Sequence, residues 1–162
     1  MREGRYMEAQ VGCQQALAVT PTHADTLHLM GILFFRGRQF DQAVEWLARA
    51  IRQDPWPEYL SSLGTTLQQQ ARYAEAAQTF DKAIQLKPDS ADLWRRLGNV
   101  LADLKRPAEA ILSLQHALKL DKRNWDAAES CGILLHGLGR FEEAYSCFNL
   151  CDDVRPNLGL TL

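Results

Sequence analysis

Nothing in this chain is long and apolar enough to cross a bilayer. The longest apolar runs, such as Gly31 to Phe35, fall far short of the roughly 20 residues a spanning helix needs. The opening residues, MREGRYMEAQ, are polar and supply no apolar h-region, so no secretory leader is expected. An excess of either charge is also missing: with a formal net charge of -2, no global field draws in nucleic acid or an anionic lipid surface. Cysteine is limited to 4 residues with no framework spacing and no Cys-x-x-Cys pair, which suits a reducing cytosol and makes the cytoplasm the expected compartment. A glycine-rich phosphate loop, HExxH and Gly-x-Ser-x-Gly are all absent, so the sequence points to no enzyme and no cofactor.

What the chain does have is a folded composition and a repeat. At 46% hydrophobic and 23% charged residues it carries enough apolar surface to leave the disordered class. Leu60, Leu63, Gly64 and Leu67 are followed by Ala76, Phe80, Ala83 and Pro88. One period on, Trp94, Leu97, Gly98 and Leu101 are followed by Ala110, Leu114 and Ala117. The first half of each unit places apolar and small residues at i, i+3, i+4 and i+7, the stripe of an amphipathic helix, and the second half forms another. Each unit is therefore a helical hairpin.

Taken in order, the chain opens on half a unit. Tyr6, Ala9, Cys13, Ala16 and Pro21 match the second helix, so residues 1–23 are expected to hold one helix, from Gly4 to about Val19, without a hairpin partner. Complete units follow at 24–56, 57–90, 91–124 and 125–158, with 159–162 as a tail, the whole forming a single array. The joint Asp54-Pro55-Trp56-Pro57 is a residue shorter than the others and is held extended by its prolines. Lys122 replaces a closing proline, so the preceding helix is expected to run on a little. Tyr6, Phe40, Tyr73 and Phe141 open second helices, and Pro107 does so once, where a missing N–H is tolerated. Asp152 stands where Ile51, Ile84 and Leu118 pack onto the following unit, so the stack is expected to end or loosen there.

A period of about 34 residues with this order of small and large side chains resembles the tetratricopeptide repeat. Trp94, Leu97, Gly98 and Ala110, with Phe80 and Pro88 of the neighbouring unit, carry the family's Trp, Leu-Gly, Ala, Phe and Pro positions. The resemblance implies an all-α fold, a right-handed α-solenoid of stacked hairpins. Its concave groove would be lined by first helices and would bind a protein or peptide segment, with no chemistry of its own. By phase the groove residues are His28, Ile32, Phe35 and Arg36; Ser61, Thr65, Gln68 and Gln69; Arg95, Asn99, Ala102 and Asp103; and Glu129, Ile133 and His136. They vary from unit to unit while packing positions stay fixed. Arg95 and Asn99 share a face at i and i+4, and relatives that clamp a terminal carboxylate carry such a pair. Ser61, Thr65, Glu129 and Ile133 do not complete that clamp. Phe35 beside Arg36 is the apolar anchor, or else packs on the opening helix.

Asp25, Glu58, Asp92 and Asp126 start the first helices, where carboxylates meet the positive end of the helix dipole. Basic residues of the third complete unit, such as Arg95, Arg96 and Lys105, are diluted by Asp92, Asp103 and Asp121, the ordinary covering of a helix. Cys131, His136, Cys147 and Cys151 are the only set resembling metal ligands. Cys131 and Cys151 sit where other units hold Met30, Leu63 and Leu97 or Ala50, Ala83 and Ala117, so they read as small buried apolar residues and no metal is expected. Two rival readings remain at this point. One is the substrate-recognition part of a larger enzyme such as a glycosyltransferase, since relatives ahead of O-linked N-acetylglucosamine transferase domains hold peptides on groove asparagines, of which Asn99 is the single match. The other is self-association into a homo-oligomer through open end helices.

Overall fold

Residues 2–152 are described from a computed structural model of the chain, with side chains from 8 to 150. Among them are nine α-helices and no strand, an all-α repeat fold. The helices are α1 (Arg2–Val19), α2 (Ala24–Arg36), α3 (Phe40–Gln53), α4 (Pro57–Gln69), α5 (Tyr73–Leu86), α6 (Ala91–Asp103), α7 (Pro107–Leu120), α8 (Trp125–Gly137) and α9 (Phe141–Asp152). None of the described helices is long and apolar enough to cross a membrane. The helices fall into two compact units, α1–α5 and α6–α9, divided between Leu86 and Lys87.

In the first unit α2 pairs with α3 and α4 with α5, while α3 joins the hairpins by packing on α4 and α1 lies on α2. Leu27, Met30, Phe34, Ala43, Leu47 and Ala50 form the core of its first hairpin, and Leu60, Leu67, Ala76, Phe80 and Ala83 that of the second. In the second unit α6 pairs with α7 and α8 with α9, and α7 packs on α8. Its core runs from Ile111, Leu114 and Ala117 to Ala127, Cys131, Leu135 and Ala144, with Trp94 and Phe148 packed against it. The repeat pattern marks these positions apart from Ile111 and Ala127, whereas Leu63, which it also marks, is only half-buried. The alanines are small because the helices cross closely, and Ala43, Ala76 and Ala110 are fully enclosed.

Each hairpin turns through one left-handed residue: Arg38 (φ 59°), Ala71 (φ 58°), Lys105 (φ 60°) and Gly139 (φ 74°). The following N–H reaches back over the helix end, as in Gln39 N–H to Phe34 C=O and Arg140 N–H to Leu135 C=O, both 2.9 Å. This closes the helix and reverses the chain. Three of the four turns place a side chain where glycine is the unstrained choice.

Three sequence expectations change. α7 does not run on past its lost proline: it ends at Leu120, as long as α3 and α5 at 14 residues each. Asp121 is extended, and its side chain accepts from Arg123 N–H at 2.9 Å, which stops the helix as effectively as proline does. Ala9 is exposed, unlike its counterparts, because α1 touches α2 alone among the described helices. α1 itself begins at Arg2, earlier than Gly4. The roles assigned to the Tyr6, Cys151 and Asp152 side chains lie outside the described residues.

Candidate binding faces on the first helices

The residues singled out for binding lie on α2 and α4 in the first unit and on α6 and α8 in the second, and within each unit those two helices touch. Acidic residues open all four helices, Asp25, Glu58, Asp92 and Asp126. His23 and Asn124 cap α2 and α8 through side chains that accept from Thr26 N–H at 3.3 Å and Ala127 N–H at 3.1 Å. The helix phase then sets which side chains look outward.

On α2, His28, Ile32 and Phe35 are half-buried and Arg36 is exposed. The Phe35 ring lies 5.7 Å from that of Phe40 and packs against the cluster of Cys13, Met30, Leu33, Phe34 and Ala43. It is thus backed by Phe40 and by a cluster that its own hairpin shares with Cys13 of α1. His28 reaches across to α4: its Nε2 stands 2.8 Å from Ser62 Oγ and its ring 4.6 Å from that of Tyr59. Because the Ser62 hydroxyl donates to Glu58 C=O at 3.0 Å, Nε2–H of a neutral imidazole is the donor to Ser62. The Tyr59 hydroxyl donates to Asp25 Oδ1. Burial, with that bond second, pushes the Tyr59 phenol up to about 12. Both links join residues 34 apart, one more than the 33 that separate equivalent positions such as Gly31 and Gly64.

Burial lowers the His28 imidazole below its ordinary value of 6.5, against an opposing pull from Asp25 and Glu58. The unfolded chain therefore takes up this proton before the folded one as pH falls. The first unit should lose stability as pH drops below 6.5 and show no His28 contribution above it. Denaturant unfolding over that range checks this, and the His28→Gln variant should show a shallower decline.

On α4, Thr65 is half-buried and its hydroxyl donates to Ser61 C=O at 2.9 Å; Ser61 and Gln68 are half-buried and Gln69 is exposed. On α6, Arg95 donates from Nη2 to Asp92 Oδ1 at 2.5 Å, and Arg96 donates from Nε to Oδ2 of the same carboxylate at 2.5 Å. Burial works against the Asp92 charge, but the bonds from Arg96 and Arg95 hold its carboxyl below the usual range. Arg95 keeps only 19% of its side chain exposed. It is held along its own helix, an arrangement unlike a fork aimed outward at a carboxylate. Asn99 and Ala102 are half-buried and Asp103 is exposed.

On α8, Glu129, Ile133 and His136 are exposed, and the His136 ring meets the Phe141 ring edge-on at 5.3 Å. The structure therefore brings together His28 with Ser62 and Arg95 with Asp92. Sequence phase missed Tyr59 and Ser62. Each link runs one position beyond the residue's own counterpart in the next unit, Asp25 passing Glu58 to reach Tyr59 and His28 passing Ser61 to reach Ser62. Among the described residues no group of three or more His, Cys, Asp and Glu side chains could hold a metal ion.

Comparison with known proteins agrees with this architecture. Two family models, both described as tetratricopeptide repeat, match residues 1–64 and 62–121. Tetratricopeptide repeat protein 33 of Mus musculus is 30% identical over 99 residues, 61% of this chain and 38% of its own length. The type IV pilus assembly protein PilF of Pseudomonas aeruginosa is 26% identical over 153 residues, 93% of this chain and 61% of its own length. The chain thus spans less than two thirds of these relatives. Among solved structures, PilF superposes with a TM-score of 0.84 at 26% identity, covering 92% of this chain and 68% of that one. MamA superposes with a TM-score of 0.85 at 22% identity, covering 92% and 88%, which speaks to the fold. Repeat pattern, hairpin geometry and matched models agree: the chain belongs to the tetratricopeptide repeat family.

Proposed function

We propose that this chain binds an extended segment of a partner protein on the outward faces of its first helices. Tetratricopeptide repeat proteins are in general protein-interaction scaffolds and typically do no chemistry. The observation that carries the reading is a contrast within each helix. Gly31, Gly64, Gly98 and Gly132 hold one packing position in every hairpin, whereas the next position reads Ile32, Thr65, Asn99 and Ile133. A face that varies while its support stays constant is free to specialise.

Intramolecular bonds narrow what each residue contributes. His28 and Arg95 are engaged with Ser62 and Asp92, so they shape the surface more than they reach for a ligand. Ile32 and Phe35 supply an ordered apolar anchor, since a ring already backed by Phe40 loses little freedom on binding. Asn99, Gln68, Gln69 and Thr65 offer amide and hydroxyl groups suited to peptide backbone, and Arg36, Asp103 and His136 border the faces.

The test is a partner recovered by affinity capture and reduced to its binding segment. Phe35→Ala, and Arg95→Ala with Asn99→Ala, should each weaken binding at least about tenfold, or ~1.4 kcal/mol. Wild-type affinity in both variants would remove the assignment.

A further inference from the structure

The α8–α9 hairpin differs from the others at one pair of facing positions. Cys131 and Cys147 stand where the earlier hairpins carry Met30 and Trp46, Leu63 and Thr79, and Leu97 and Ser113. The Thr79 and Ser113 hydroxyls are spent on their own helices, donating to Glu75 C=O at 2.7 Å and Glu109 C=O at 3.0 Å. In α9 the second position instead holds a thiol: Cys147 packs against the cluster that contains Cys131, close enough for the two groups to act on each other. Gly132, next to Cys131, lets the helices meet closely, since a Cβ there would stand 2.6 Å from Cε1 of Phe148, the residue next to Cys147. Neither cysteine is in a disulfide; Cys131 is fully buried and Cys147 half-buried.

We propose that Cys131 and Cys147 are an oxidation site that closes to a disulfide across the α8–α9 hairpin when a hydroperoxide reaches Cys147. The half-buried Cys147 meets the oxidant. Its sulfur takes one peroxide oxygen as the O–O bond breaks, giving a sulfenic acid and releasing the remaining fragment as alcohol or water. Cys131 sulfur then displaces that oxygen: the S–S bond forms, the S–O bond breaks, and the Cys131 proton leaves with the oxygen as water. Two thiols lose one electron each and the peroxide gains two. Burial, with Cys147 alongside, pushes the Cys131 thiol up to about 12, so Cys131 is not the first nucleophile and acts through adjacency.

The experiment oxidises the full chain with hydrogen peroxide after removal of reductant, alkylates remaining thiols and digests with trypsin without reduction. Cys131 falls in the peptide 124–140 and Cys147 in 141–162. The expected product joins these two peptides with the loss of two hydrogens, reverts with dithiothreitol, persists in Cys151→Ser and is lost in Cys147→Ser. Alkylated Cys131 beside sulfinic or sulfonic Cys147 overturns the proposal, as does a link that disappears in Cys151→Ser.

Discussion

Replacing Phe80 with alanine is expected to cost about 4 kcal/mol of stability, the range for emptying a fully enclosed aromatic site. Phe80 is 0% exposed and is the largest fully buried side chain described. Its ring lies across α4 at Gly64, where an added Cβ would stand 2.8 Å from Cζ and 2.9 Å from Cε1. The two positions should therefore be coupled in sign. Gly64→Ala alone gains roughly 1 kcal/mol of helix propensity but pushes into a ring held on every side, and overpacking costs about 1–3 kcal/mol. The single change should be destabilising. With the Phe80→Ala ring gone, the same Gly64→Ala keeps its propensity gain, fills part of the cavity and should stabilise. Denaturant unfolding of the four proteins in this cycle measures the effect, with Phe80→Leu as a milder background should the alanine variant not fold. A Gly64→Ala effect that does not depend on residue 80 would mean the glycine is there for another reason.

That coupling shows why so much of the fold was legible. Close contact between helices leaves its mark as a small residue opposite a large one, and the mark returns with each period: Gly31 opposite Leu47, Gly64 opposite Phe80, Gly98 opposite Leu114, Gly132 opposite Phe148. The first residues of α3, α5, α7 and α9 were legible for the same reason. The turns were not. Arg38, Ala71 and Lys105 adopt positive φ without glycine, because closing the helix end overrides the local cost of a side chain there. Helix phase located the candidate faces but not the state of their polar groups. Arg95 can reach Asn99, a ligand or Asp92, and the choice of Asp92 depends on rotamers that periodicity does not encode. The His28–Ser62 bond needed the spacing between hairpins, a relation between repeats that phase within one helix cannot supply.

Within the second unit, glycine substitutions of opposite sign are expected. Gly98→Val should destabilise by about 3 kcal/mol, at the upper end of the cost of overpacking a filled core. A Cβ at Gly98 would lie 2.7 Å from Leu114 Cγ, 3.0 Å from its Cδ2 and 3.1 Å from the Ala110 carbonyl oxygen. Leu114 and Ala110 are both 0% exposed, and the carbonyl belongs to the α7 backbone, so relief requires moving α7 away from α6. Valine adds two methyl groups to that conflict and has little freedom to rotate them away within a helix. Gly137 lies in the last turn of α8 with nothing within 4 Å of an added Cβ. Gly137→Ala should stabilise by up to roughly 1 kcal/mol, through helix propensity and a less flexible unfolded chain. Denaturant unfolding of the two variants beside wild type decides the matter. Opposite signs tie the repeating glycines to the approach of paired helices, whereas a stabilised or unchanged Gly98→Val would separate the repeat pattern from the packing it is taken to encode.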